Sequence, residues 1–237
     1  MSKTHSIGTG GAAPALLEYS WAKGEALNDP MDPEQGTTGQ LWYALAEVYT
    51  SPEDIPAHME VGQAQWDGFP TLMDFNGKYA KHIDVGSQVI TCMSDGELGA
   101  CTSGLGHPSI NIAYKVPADK EAEFDALLKD HEANLMRKSH TFDAMPADDA
   151  TKPRLSQFYM SKMKEQVDPL DASKGETGNF LYVMNESYIV PAGIAGHMAV
   201  ATSTWPKMDE FMAFTSGSAC WMQVGACKVV ATMAGAA

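Results

Sequence analysis

The chain has 237 residues, 44% hydrophobic and 19% charged, with a formal net charge of −14. That is room for one large domain or two small ones sharing a core, with the composition of an ordinary soluble globular protein. The acid excess, with Arg137 and Arg154 as the only arginines, argues against nucleic acid and anionic membrane, which are bound through clustered Lys and Arg; no apolar run approaches the roughly 20 residues of a membrane span.

The first residues carry Lys3 as their one fixed positive side chain and read as lacking a secretory signal, so the expected location is the cytoplasm. A strand is expected over LLEYSWAKGEAL, closed by the Asp29-Pro30 turn. A polar loop ending in Thr38-Gly39 leads to a second strand, LWYALAEVY. A helix follows from Ser51-Pro52, with Glu53 and Asp54 at the positive end of its dipole. It is expected to break near Trp66, where Gly68 and Pro70 follow, and VGSQVITCM reads as a closing strand. The glycine-rich stretch SDGELGACTSGLGHP reads as a connector, not a phosphate loop, since it lacks the Lys-Ser/Thr ending. SINIAYKV is expected as a strand. DKEAEFDALLKDHEANLMRKSH is the clearest helix, with Phe124, Leu127, Leu128, His131, Leu135 and Met136 on one face.

The remainder repeats the beginning. At an offset of 139 (197 − 58), His58 falls on His197, Trp66 on Trp205 and Gly86 on Gly225. From Thr38 to Gly86, 49 positions, the copies share 16 residues without a gap; about three are expected by chance at normal residue usage. Residues 16–93 and 155–233 are therefore two copies of one β-β-α-β unit, a tandem duplication and not a solenoid. The four cysteines, Cys92, Cys101, Cys220 and Cys227, form no C-x-x-C pair and are expected as free thiols. Cys220 and Cys227 flank an expected turn, which leaves a disulfide between them open.

From Gly106 onward the order is β-α-β-β-α-β, the ferredoxin-like plan. KVPADKEAEFDALLKDHEANLM resembles the first strand and helix of the dimeric α/β-barrel superfamily, in its antibiotic-biosynthesis-monooxygenase branch. AEVYTSPEDIPAHM resembles that branch's second-helix signature through Glu47, Tyr49, Ala57 and His58; the second copy keeps Glu186, Tyr188 and His197 but has Gly196 for the Ala. The resemblance implies an α+β fold. On this resemblance residues 104–237 are expected to form a complete ferredoxin-like unit. Residues 1–103 are expected to form one lacking its first strand and helix, and the two to pack as an intrachain dimeric α/β barrel. The incomplete unit leaves sheet to be covered, which points to a homo-oligomer.

Each copy places a Tyr-x-x-x-Glu-x-Tyr stripe on one strand face: Tyr43, Glu47 and Tyr49, and Tyr182, Glu186 and Tyr188. The helices add His58 and Trp66, and His197 and Trp205, with a small residue (Gly62, Ala201) between them that leaves space for a ligand. In one reading His197 and Glu186 are catalytic, the imidazole a general base and the Glu fixing its tautomer. The other eight residues then bind a small apolar or aromatic molecule, with no cofactor and no metal. The resemblance makes this a cofactor-free monooxygenase or cyclase acting on an aromatic or polyketide-like substrate. In the other reading the Glu-His pairs satisfy each other inside a non-catalytic stress-response or assembly protein. After Trp205 the helix carries no histidine of the kind that haem-binding relatives use, so haem is not expected.

Overall fold

The computed structural model describes residues 4–7, 14–93, 103–142 and 153–233. The elements follow in the order β1 (Ser6–Ile7), β2 (Ala15–Leu27), β3 (Thr37–Tyr49), α1 (Asp54–Gln65), α2 (Phe69–Tyr79), β4 (Gln88–Cys92), β5 (Pro108–Pro117), α3 (Glu121–Asp130), a π-helical turn (His131–Met136), α4 (Arg137–Ser139), β6 (Thr141–Phe142), β7 (Arg154–Gln166), β8 (Glu176–Tyr188), α5 (Ala192–Thr204), α6 (Met208–Ser218) and β9 (Ala219–Thr232). The fold is α+β, with one open mixed sheet of nine strands.

The duplication holds at the level of single turns. Asp32 and Asp171 cap matching 3-10 turns by accepting from the backbone N–H two residues on. Gly36 and Gly175 close those turns at φ 76° and 84°, a conformation costly to any residue with a Cβ. The expected helix break is present twice: α1 stops before Trp66 and α2 starts at Phe69, as α5 stops before Trp205 and α6 starts at Met208. Asp54 anchors the first copy. Its carboxylate accepts from the Ala15 and Ser51 backbone N–H and from the Thr50 and Ser51 hydroxyls, joining the start of β2, the end of β3 and the start of α1.

The sheet order is β1-β2-β9-β5-β8-β7-β4, with β3 on the free side of β2 and β6 beside β7. The two halves exchange strands: β4, the last strand of the first copy, pairs antiparallel with β7, and β9, the last strand of the second, pairs antiparallel with β2. Two-residue strands also recur. β1 pairs in parallel with Ala15 and Leu16, and β6 with Arg154 and Leu155, the same positions 139 residues on.

The halves differ where the unrepeated segment lies. β5 occupies the inner edge of β8, and α3 packs across β8 and β5. Phe124 of α3 stacks on Phe214 (4.4 Å, 7°) and meets Tyr182 edge-on at 4.9 Å. Asp125 accepts from Tyr182 Oη (2.7 Å) and Lys162 Nζ (2.8 Å), and Asp130 from Trp205 Nε1 (2.7 Å). Apart from Met93, the buried members of the main apolar cluster all lie between Ile110 and Phe211. In the first half nothing takes these places among the described residues: β3 pairs with β2 alone. Tyr182 and Trp205 are 1% and 3% exposed, whereas their counterparts Tyr43 and Trp66 are 44% and 50% exposed.

Candidate functional site

The conserved Glu, His and Tyr of each copy belong to a longer relay whose first member comes from the short strand pair. In the first half Thr4 Oγ1 lies 2.9 Å from His5 Nδ1, and His5 Nε2 lies 2.8 Å from His58 Nδ1. His58 Nε2 is 3.7 Å from Glu47 Oε2, which accepts from Tyr49 Oη at 2.6 Å. In the second half Ser139 Oγ lies 2.8 Å from His140 Nδ1, His140 Nε2 lies 3.0 Å from His197 Nδ1, and Tyr188 Oη donates to Glu186 Oε2 at 2.6 Å. Hydroxyl, imidazole, imidazole, carboxylate and phenol thus recur in one order.

Burial shifts the titration of His58, Glu47 and Tyr49 in the first relay and of His140 in the second. Burial lowers the His58 pKa and keeps the ring neutral near pH 7, so its contact with Glu47 is not a full ion pair. The Glu47 carboxyl is raised by burial against the opposing bond from Tyr49, and burial with the neighbouring Glu47 charge raises the Tyr49 phenol. In the second half burial pushes His140 down to about 3, and holds His131, on the π-helical turn, well below the ordinary imidazole range.

The surroundings of the two relays are unlike. Glu47, Tyr49, His58, Tyr43 and Trp66 line one open cleft of about 2500 Å³. Trp42, Phe69 and Tyr79 line it too, and Trp221 and Tyr159 reach it from the other half. Glu186, Tyr188 and His197 are buried, and beside them lies a cavity of about 30 Å³. That volume suits a water-sized molecule, not a polyketide. Gly62 lines the cleft, and a Cβ on it would come within 2.9 Å of the Phe69 ring, so this glycine also admits α2 against α1.

All ten residues singled out from the sequence fall in these two places: Tyr43, Glu47, Tyr49, His58 and Trp66 at the cleft, and Tyr182, Glu186, Tyr188, His197 and Trp205 in the interior. Sequence reasoning missed His5 and His140. They sit 135 residues apart (140 − 5), outside the 139 register, on strands too short to show a period. It placed His131 on one helix face with Phe124, Leu127, Leu128, Leu135 and Met136. The structure sets His131 beside the second relay, and one ligand atom each from His131, Glu186 and His197 lies within 4.8 Å of the others. The expected turn between Cys220 and Cys227 is not there: both lie on β9 and are free. Seven residues along a strand span about 23 Å, too far for a disulfide. Among the described residues no helix is long and apolar enough to cross a membrane.

Comparison with family models, with curated proteins and with solved structures finds no match for this chain.

Proposed function

We propose that this chain is a small-molecule-binding protein whose ligand lies in the cleft of the first half, and that His58 acts on it as a general base. The strand order β9-β5-β8-β7, with helices after β5 and β8, supports taking residues 104–237 as a complete ferredoxin-like unit. Residues 1–103 are then its truncated copy, and the two pack as an intrachain α/β barrel of the antibiotic-biosynthesis-monooxygenase type. The observation that carries the functional reading is the asymmetry of the two relays. One is sealed among core side chains; its twin opens on a large cleft lined by Trp42, Tyr43, Tyr49, Trp66 and Trp221. Such walls fit an aromatic or polyketide-like molecule, whose rings gain from edge and stacked contacts. A neutral imidazole held by His5 is poised to take a proton from a phenolic O–H or an activated C–H. That step opens both a cyclisation and a cofactor-free oxygenation. The free thiols fit a reducing compartment, the cytoplasm.

The test uses 1-naphthol as probe, with calorimetric titration and naphtholate absorption read together. The expected result is saturable binding to the folded chain, weakened at least tenfold in His58→Ala and unchanged in Val190→Ala, an exposed site away from the cleft. Absence of saturable binding, or equal affinity in His58→Ala, overturns the proposal.

A second, non-catalytic reading is favoured by three orphaned donors. Lys162, Tyr182 and Trp205 donate to Asp125 and Asp130. Their counterparts Lys23, Tyr43 and Trp66 are retained, yet no such acceptor faces them among the described residues. In this reading a second copy of the chain covers the unpaired β3 edge, and the cleft is an assembly face. Light scattering separates the two: a dimer broken by Leu45→Lys supports assembly, and a monomer that binds 1-naphthol supports the first reading.

A further inference from the structure

Glu186, His197 and His131 converge from β8, α5 and the π-helical turn, a helical irregularity often found at functional positions. Their free atoms are identifiable. Glu186 Oε2 accepts from Tyr188, while Oε1 is buried without a partner. His131 Nδ1 is likewise buried without a partner; its ring stacks on Phe211 (5.3 Å, 14°) and stands edge-on to Trp205 (5.2 Å).

The hydrogen-bond chain settles His197. Ser139 Oγ donates to the Leu135 carbonyl at 2.6 Å, so its one proton is used. It therefore accepts from His140 Nδ1–H at 2.8 Å. With its proton on Nδ1, His140 accepts at Nε2 from His197 Nδ1–H, 3.0 Å away. With Nδ1 donating to His140, Nε2 is the His197 ring nitrogen left for a ligand. Glu186 Oε1, an acceptor, thus lies buried close to His197 and to a His131 ring whose Nδ1 has no partner. Unpartnered acceptors in such a place are costly.

We propose that His131, Glu186 and His197 form a binding site for one divalent first-row transition metal ion per chain. Two imidazoles and one carboxylate suit iron(II), cobalt(II) or zinc(II), and not magnesium or calcium, which take oxygen ligands. The outer contacts are those a metal site needs: His197 Nδ1–H is held by His140 and Glu186 Oε2 by Tyr188, which fixes the orientation of both ligands. The cavity of about 30 Å³ touches His131 and His197 and gives room for one water-sized further ligand. Met31, part of its wall, is partly exposed and marks the route from solvent. The first half keeps Glu47 and His58 but has no counterpart of His131, since the segment carrying it is not duplicated. One ion per chain follows, not two.

The competing occupant is a water donating to Glu186 and His197, with His131 turned to its N–H tautomer. The full chain, unfolded and refolded with a chelator, is refolded again with cobalt(II) and freed of loose ion. The expected result is one cobalt per chain by elemental analysis, visible d–d absorption, and a melting temperature several degrees higher. Glu186→Gln and His131→Asn lose the ion, while Glu47→Gln and His58→Asn keep it. Should the core variants fail to fold, paramagnetically shifted imidazole N–H resonances in the wild-type chain decide alone. No retained cobalt, a d–d spectrum unchanged in a folded Glu186→Gln chain, or a crystal grown with cobalt(II) showing only a water there overturns the proposal.

Discussion

His140 Nε2 lies 3.0 Å from His197 Nδ1, and His5 Nε2 stands in the same relation to His58 Nδ1, at 2.8 Å. The shared geometry sits in different surroundings, so the same substitution has different costs. His140→Ala leaves a buried imidazole N–H without an acceptor and is expected to cost about 1–3 kcal/mol, several degrees of melting temperature. His5→Ala acts where water reaches the ring and is expected to cost under about 1 kcal/mol. Thermal melts of both variants check this; a larger loss for His5→Ala contradicts it.

The same contrast governs the paired aromatics. Trp205 fills the core and donates to Asp130, whereas half of Trp66 faces solvent. Trp205→Ala is expected to destabilise by about 3–5 kcal/mol, the range for a buried large-to-small change. Trp66→Ala is expected to stay within about 1 kcal/mol. Equal losses in denaturant titrations show that the first half is as closed as the second.

Much of this was legible in the sequence because both copies obey one register. β2 and β7, β3 and β8, α1 and α5, and α2 and α6 follow from the offset of 139, as do the helix breaks at Trp66 and Trp205. The relay histidines before β2 and β7 were not legible. Residues 4–7 and 139–142 break the register and are placed by two-residue parallel pairings that leave no hydrophobic period. His131 falls, as expected, on the buried face with Phe124, Leu128 and Leu135, and nothing in that pattern points to its neighbours Glu186 and His197. The strand exchange between halves is a choice of partner, and alternation within β4 or β9 does not encode it.

Domain excision follows from the placement of the core. Residues 104–237 hold nearly all of it and lose β4 from the edge of β7 and β2 from the edge of β9. Residues 1–103 lose β9 from β2 and keep an open β3. The longer fragment is expected to fold with reduced stability, and the shorter one to be unfolded or aggregated, by circular dichroism and light scattering. A folded 1–103 fragment contradicts the described division of the core.

Glu18 sets a pH dependence. It is buried on β2, and burial raises its pKa to about 7, against the opposing influence of the neighbouring Ser20 and Gln157 side chains. The folded state keeps a proton that the unfolded chain, titrating near 4.5, has released. Stability therefore falls as pH rises from 4.5 to 7, by about 3 kcal/mol in all, and the loss is fully present above pH 7. Glu18→Gln is expected to exceed the wild type in melting temperature at pH 8 and to match it at pH 4.5. Parallel curves for the two proteins across that window contradict the burial of an ionisable carboxyl here.

The central claim is that the open relay, and not its buried twin, faces the ligand. A crystal structure of the full chain grown with 1-naphthol tests it most directly. The account expects the ring in the first-half cleft, against Tyr43 and Tyr49 and within hydrogen-bond reach of His58, with the core around His197 closed as described. Naphthol lodged beside His197, or a first-half cleft filled by a neighbouring chain with no naphthol in it, would contradict the account.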